Sequence, residues 1–194
     1  SVTTLVGGTV TDAAGASAGW TNLGSLLLEP SGSMLVHDAS KHRLNRLDTA
    51  KVLSAMPFMP GNRGVTEAVG GAARVGSVGS SGMCSDPAGN VYLLDMPNKV
   101  LRRVTPDGAF SVYAGIAGVA GSNDGPRASA TMSGPVAIAC DQDGAVYFAD
   151  KAALGTAFNL RKISKDGQVS TQEALPAGTG KPLQYRLAID KDGY

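Results

Sequence analysis

The 194-residue chain carries 17 Lys and Arg against 16 Asp and Glu, a formal charge of +1. That balance removes the basic excess by which a nucleic-acid binder neutralises phosphate. No apolar stretch approaches the roughly 20 residues that span a bilayer, and Ser1–Leu5 lacks the basic start and apolar core of a signal peptide. With 26 glycines and 17% charged residues, the composition suits short strands and tight turns, in a secreted rather than a cytosolic helical protein.

In chain order, an extended segment at 2–6 comes first, followed by a glycine-rich linker ending in Trp20. The first group of predicted strands lies near 26–29, 34–37, 43–47 and 51–56. A second linker ends in Val75, and strands are predicted near 82–85, 91–94, 100–104 and 110–114. A third linker ends in Met132, and strands follow near 136–140, 145–149, 159–163 and 168–172. The apolar run 187–189 begins a fourth copy. Each unit reads as strand, Gly turn, strand, loop, strand, Gly or Asp turn, strand, because Gly tolerates positive φ and Asp bonds its own backbone.

The units superimpose. Ser31 to Asp38, Ala88 to Asp95 and Asp143 to Asp150 share one pattern, and their final aspartates recur after 57 and then 55 residues. Upstream stand apolar runs closed by an acid (Glu29, Asp86, Asp141, Asp190). Downstream stand basic strands containing Arg46, Arg102 with Arg103, and Arg161 with Lys162. Four short strands at a fixed period are the signature of a β-propeller blade; no run of ten or more at 3.6 spacing suggests a helix.

The expected fold is all-β: a single β-propeller portion over 1–194, with repeats at 26–57, 83–115 and 136–175, a partial repeat at 185–194 and an outer closing strand at 2–6. The innermost strands are expected at 26–28, 83–85, 138–140 and 187–189, with Leu27, Met83 and Ile138 almost inaccessible. Closure needs at least four blades, so the remaining blades are expected from chain segments beyond Tyr194 or from another chain. Trp20, Val75 and Met132 recur at the blade period and read as plugs that anchor the linkers.

The pattern apolar run–Asp–x–x–Gly–x–Val–Tyr–apolar–x–Asp, then x–Leu–Arg–Lys/Arg–Ile/Val–x–x–Asp–Gly, resembles the NHL repeat. Asp86 to Tyr92 and Leu160 to Ile163 carry it best. The first repeat departs from it, with Glu29 for the first Asp, Met34-Leu35 for Val-Tyr and Asn45 for the Arg. The resemblance implies propellers of about six blades that serve as protein- or RNA-binding platforms; lactonases, lyases and an amidating lyase share a similar fold. Fold therefore leaves function open.

Asp38, Asp95 and Asp150 end the second strand of each blade. A ring of them around the channel would suit Ca²⁺, which takes six to eight oxygens. Alternatively, each accepts backbone N–H groups of its own loop. The second reading is preferred because a functional residue should break the repeat, not follow it. His37 and His42 do break it, but two ligands from one blade do not build a metal site; both are read as surface or edge side chains. The insertion at 152–157 in the third repeat is small and apolar. Arg46, Arg102, Arg103, Arg161 and Lys162 alternate between strand faces and, with aromatics at 5%, read as solvated strand edges rather than a base-stacking surface. Gly15 to Gly19 spells Gly-x-Ser-x-Gly but sits in a linker with no helix pattern after it, so it is not a nucleophile elbow. No Walker loop occurs, and the glycines of 115–121 precede no helix.

Cys84 and Cys140 are too few for a disulfide framework and too isolated for zinc. They take the second and third positions of their innermost strands, hence opposite faces of their own blades. Neighbouring blades can bring opposite faces together, but sheets pack about 10 Å apart while a disulfide needs Cα atoms within roughly 7 Å. Both are expected reduced.

The chain thus reads as a non-catalytic binding or scaffold propeller without cofactor, in a secreted, periplasmic or cell-surface protein, meeting protein or glycan partners through its loops. The alternative is a lactonase-like or amidating-lyase-like propeller with a divalent metal in the channel and part of its site outside these residues.

Overall fold

The computed structural model describes residues 10–11, 17–18, 23–38, 43–50, 52–56, 68–69, 78–151, 157–175 and 187–189. The segment 2–6, Trp20, His42, Val75 and the insertion at 152–156 lie outside them. Regular structure among the described residues is entirely β. Val10–Thr11 (β1) and Ser17–Ala18 (β2) form a small hairpin. Blade 1 is Leu23–Leu28 (β3), Met34–Asp38 (β4), Arg43–Leu47 (β5) and Leu53–Ala55 (β6). After Ala68–Val69 (β7), blade 2 is Val78–Ser85 (β8), Val91–Asp95 (β9), Val100–Val104 (β10) and Ala109–Ala114 (β11). After Gly125–Pro126 (β12), blade 3 is Pro135–Cys140 (β13), Val146–Lys151 (β14), Phe158–Ile163 (β15) and Gln168–Leu175 (β16).

Each blade is an antiparallel meander in sequence order, and the linkers β7 and β12 add a short fifth strand outside β11 and β16. This shields the outer edge, whose unpaired N–H and C=O groups would otherwise template association. The acid closing the first strand shapes the first turn: Asp86 and Asp141 accept the backbone N–H of Asn90 and Ala145 at 2.9 and 2.8 Å. Gly89 and Gly144 follow with φ of 82° and 89°, where a side chain would be strained. Turn chemistry and sequence period therefore coincide.

Blades stack face to face, with the innermost strands β3, β8 and β13 in contact side by side. Alternation sends Leu35 and Leu44 of blade 1 onto Met83, Val91, Leu93, Val104 and Phe110 of blade 2. The opposite face of blade 2, with Tyr92, Leu94 and Leu101, meets Ile138, Val146, Phe148 and Ile163 of blade 3, and Met132 plugs that interface fully buried. This is a partial β-propeller.

Four expectations are corrected. Met83 and Ile138 are buried, but Leu27 is only half-buried, and Leu26 and Leu28 are 58% and 66% exposed. The latter two share a face with Val36 and Met34, turned away from blade 2. Residues 187–189 form no strand, and Ala188 is exposed. In blade 1 the fourth-strand register differs by one: Leu53, opposite Leu47, matches Phe110 opposite Val104, so Leu53 is buried while Val52 is exposed. Finally, Cys84 and Cys140 are joined as a disulfide, with Cα atoms 5.6 Å apart. The sheet spacing of about 10 Å holds for parallel layers, but blades arranged radially converge toward the axis. Both cysteines sit on the innermost strands, where that gap is narrowest.

Candidate functional site

The recurring aspartates do not form an open carboxylate ring. Asp95 is fully buried and accepts hydrogen bonds from Arg102 Nε at 3.1 Å and Asn98 Nδ2 at 2.9 Å. Asp150, 1% exposed, accepts from the backbone N–H of Gly134 at 2.8 Å and Ser133 at 3.1 Å, and from Arg161 Nη1 at 3.0 Å. Burial pushes the Asp150 carboxyl above the ordinary carboxylate value, opposed by the Gly134 N–H and by Arg161. Asp38 is likewise buried, on the face of Val36 and Asn45. The backbone N–H groups that bind Asp150 belong to the linker entering β13 rather than to its own loop. Among the described residues no three His, Cys, Asp or Glu side chains converge as metal ligands do.

Arg102 and Arg161, expected at solvated edges, are fully buried. Their face is the one covered by the preceding blade, and each guanidinium lies over a ring, Phe110 at 5.4 Å and Phe148 at 5.5 Å. Arg161 also donates to the carbonyls of Thr131 and Asn123 and to Asp124 Oδ1, pinning the third linker across blade 3. Burial tends to raise the Asp124 carboxyl but is outweighed by the Thr171 N–H and Arg161, and its pKa is lowered. His37 is also buried, because alternation puts it beside Leu35 against blade 2.

The polar grooves lie elsewhere, between neighbouring blades, at the end carrying the first and last turns of each blade. The groove between blades 1 and 2, about 410 Å³, runs past Glu29, Ser31, Arg46, Ser85 and Pro106. There Arg46 is bound by both oxygens of Glu29, at 2.9 and 2.8 Å. The groove between blades 2 and 3, about 290 Å³, is lined by Asp86, Tyr92, Arg103, Tyr113, Arg127, Gln142, Asp143 and Lys165. Asp86, at the repeat position of Glu29, is one methylene shorter. It accepts from Asn90 Nδ2 at 2.8 Å and from the Tyr92 hydroxyl at 2.9 Å, not from Arg103. Burial, then the bond to Asp86, raises the Tyr92 phenol far above its ordinary value. Tyr92 meets Tyr113 edge-on at 4.7 Å, and Tyr113 carries Arg103 at 5.8 Å and Arg127 at 4.8 Å from its ring centroid. Arg103 Nε is buried with no hydrogen-bond partner among the described residues. At the corresponding place of blade 3, Lys162 lies over Tyr147 at 5.1 Å, and the hydrogen bond to that phenol raises its pKa.

Arg127 and Tyr113 are the site residues that sequence reasoning passed over. Counting back from Met132, Val75 and Trp20, Arg127 stands where the other linkers have Gly70 and Gly15. It breaks the repeat, which was the signal available.

No protein-family model matches the chain, and no curated protein matches it. Solved structures do. A Bacteroides thetaiotaomicron structural-genomics protein of unknown function superimposes with TM-score 0.56 at 23% identity, over 77% of this chain and 35% of that one. An auxiliary nutrient binding protein from the same organism gives 0.58 at 20% identity, over 81% and 39%. A gluconolactonase from Xanthomonas campestris gives 0.54 at 11% identity, over 81% and 49%. The chain thus spans about a third to a half of the length of these structures. At such identities the likeness is one of fold, and the fold is the β-propeller.

Proposed function

We propose that the protein is a non-catalytic, NHL-type binding propeller of an oxidising compartment, secreted, periplasmic or at the cell surface, that meets a protein or glycan at the groove-bearing end. The remaining blades of the ring are supplied by further chain or by another chain. The observation that carries this reading is the division of polar groups between two places. Carboxylates that recur in the blades, Asp95 and Asp150, are buried against arginines and backbone N–H groups, where they tie strand to strand within a blade and, at Asp150, linker to blade. Arg103 and Arg127, which bind no carboxylate among the described residues, line the groove between blades 2 and 3. Loops and turns displayed by a rigid scaffold are the usual carriers of binding. The Cys84–Cys140 disulfide supports the compartment, since thiols are kept reduced in the cytosol. A likeness to an auxiliary nutrient binding protein is consistent with binding.

The test is a panel of glycans and secreted proteins titrated against the purified protein, alongside assays of lactones with and without divalent ions. Saturable binding without turnover supports the proposal. Turnover abolished by a chelator would replace it with a metal-dependent hydrolase or lyase.

A further inference from the structure

We infer that the groove between blades 2 and 3 is a subsite for a sugar acid, a polyhydroxylated ring bearing one carboxylate. This rests on the binding reading above and names its ligand. The argument starts from the repeat. Arg46 and Arg103 occupy the same position of the third strand, one residue beyond Asn45 and Arg102. In blade 1 the long Glu29 side chain reaches Arg46 and binds it through both oxygens. In blade 2 the shorter Asp86 is held by the Asn90 side chain and the Tyr92 hydroxyl, leaving Arg103 without a carboxylate. A buried Nε–H lacking an acceptor is a standing penalty unless an acceptor arrives. Arg127, on the same Tyr113 ring and without an ion pair among the described residues, adds a second guanidinium, and Lys165 a third cation.

Cations alone would suit any anion. The wall contributed by blade 3 is different: Gln142 and Asp143 are exposed acceptors on the same groove. A carboxylate would be repelled by Asp143 and drawn to the arginines, whereas hydroxyl groups donate well to Asp143. The groove is thus polarised as a hydroxy acid is polarised. Tyr92 and Tyr113 are buried beneath the arginines, so they orient the guanidiniums rather than stack on the ligand. A volume of about 290 Å³ lies at the small end of ligand sites, room for one such residue of a glycan.

The test is calorimetric titration of the protein with D-glucuronate, compared with glucose, acetate and inorganic phosphate. Glucuronate is expected to bind about tenfold or more tightly than each of the others, the worth of one charge-assisted hydrogen bond. Arg103→Gln and Arg127→Ala should each weaken it about tenfold. Asp86→Glu, which restores the blade 1 arrangement and should pair with Arg103, should do the same in a protein that still unfolds cooperatively, at a lower midpoint because the turn N–H of Asn90 and the Tyr92 hydroxyl lose their acceptor. Asp143→Asn should narrow the preference over acetate. Equal binding of phosphate or acetate, or glucuronate binding unaffected by Asp86→Glu, would overturn the proposal. Absence of glucuronate binding while other glycans still bind would overturn this subsite alone. Lactone turnover would instead overturn the non-catalytic reading.

Discussion

The two inter-blade interfaces are built from the same repeat yet differ in how they are held and in what they offer to solvent. Between blades 1 and 2 apolar side chains surround the buried Arg102–Asp95 pair of blade 2, and the groove cation is closed by Glu29. Between blades 2 and 3 a disulfide, a plugging Met132 and the Arg161 network lock the blades, while the groove above keeps Arg103 and Arg127 open. The difference teaches that a repeat position is not a function. One methylene, Glu29 against Asp86, decides whether the arginine beside it is part of the wall or part of a site. Extra locks at the second interface also fit a site that needs its two walls fixed in distance.

The sharpest way to break the comparison is to remove its strongest lock. Arg161→Met leaves Asp150 buried beside no cation and frees the linker carbonyls of Thr131 and Asn123; a loss of about 3–5 kcal/mol is expected in urea unfolding. The corresponding Arg102→Met, at the blade 1–2 interface, should cost less, because Asn98 still holds Asp95. Replacing both cysteines by alanine should cost about 2–4 kcal/mol, since the bridge closes a long loop of sequence separation 56. A change below 1 kcal/mol would show that packing alone holds blades 2 and 3.

Smaller effects sharpen the contrast. Glu29→Gln should barely alter stability, by under about 1 kcal/mol, because Arg46 is one-third exposed. It should nevertheless give the first groove a measurable affinity for glucuronate by freeing Arg46. Acid should loosen the third linker. The folded pKa of Asp124 is lowered, so its contribution is present above the ordinary carboxylate value and is lost as pH falls through the folded one. Asp150 has the opposite sign: its folded pKa is raised, so its contribution is present below the ordinary value and is lost as pH rises through the folded one. Asp124→Asn should therefore flatten the acid limb of stability against pH, measured by thermal melts.

Much of the fold was legible because local and global signals agree. Gly89 and Gly144 mark turns at the blade period, and the runs between them alternate. What was not legible depends on the radial arrangement. Convergence at the axis brings Cys84 to Cys140, and the outward-turned face of blade 1 leaves Leu26 and Leu28 exposed. Alternation correctly separates Arg102 from Arg103, but which face a neighbour covers is tertiary information, so the burial of Arg102 and Arg161 was missed. The site was half legible. Arg127 breaks the linker repeat, and Asp86 differs from Glu29 by one methylene, but only the paired geometry reveals that Arg103 is left without its acid.

The most direct test of the open and closed grooves is the arginine Nε–H region of an NMR spectrum during titration with glucuronate. The Nε–H of Arg103 is predicted to shift with saturation while that of Arg46, held by Glu29, stays in place. Equal shifts of both, or a shift of Arg46 alone, would contradict the account.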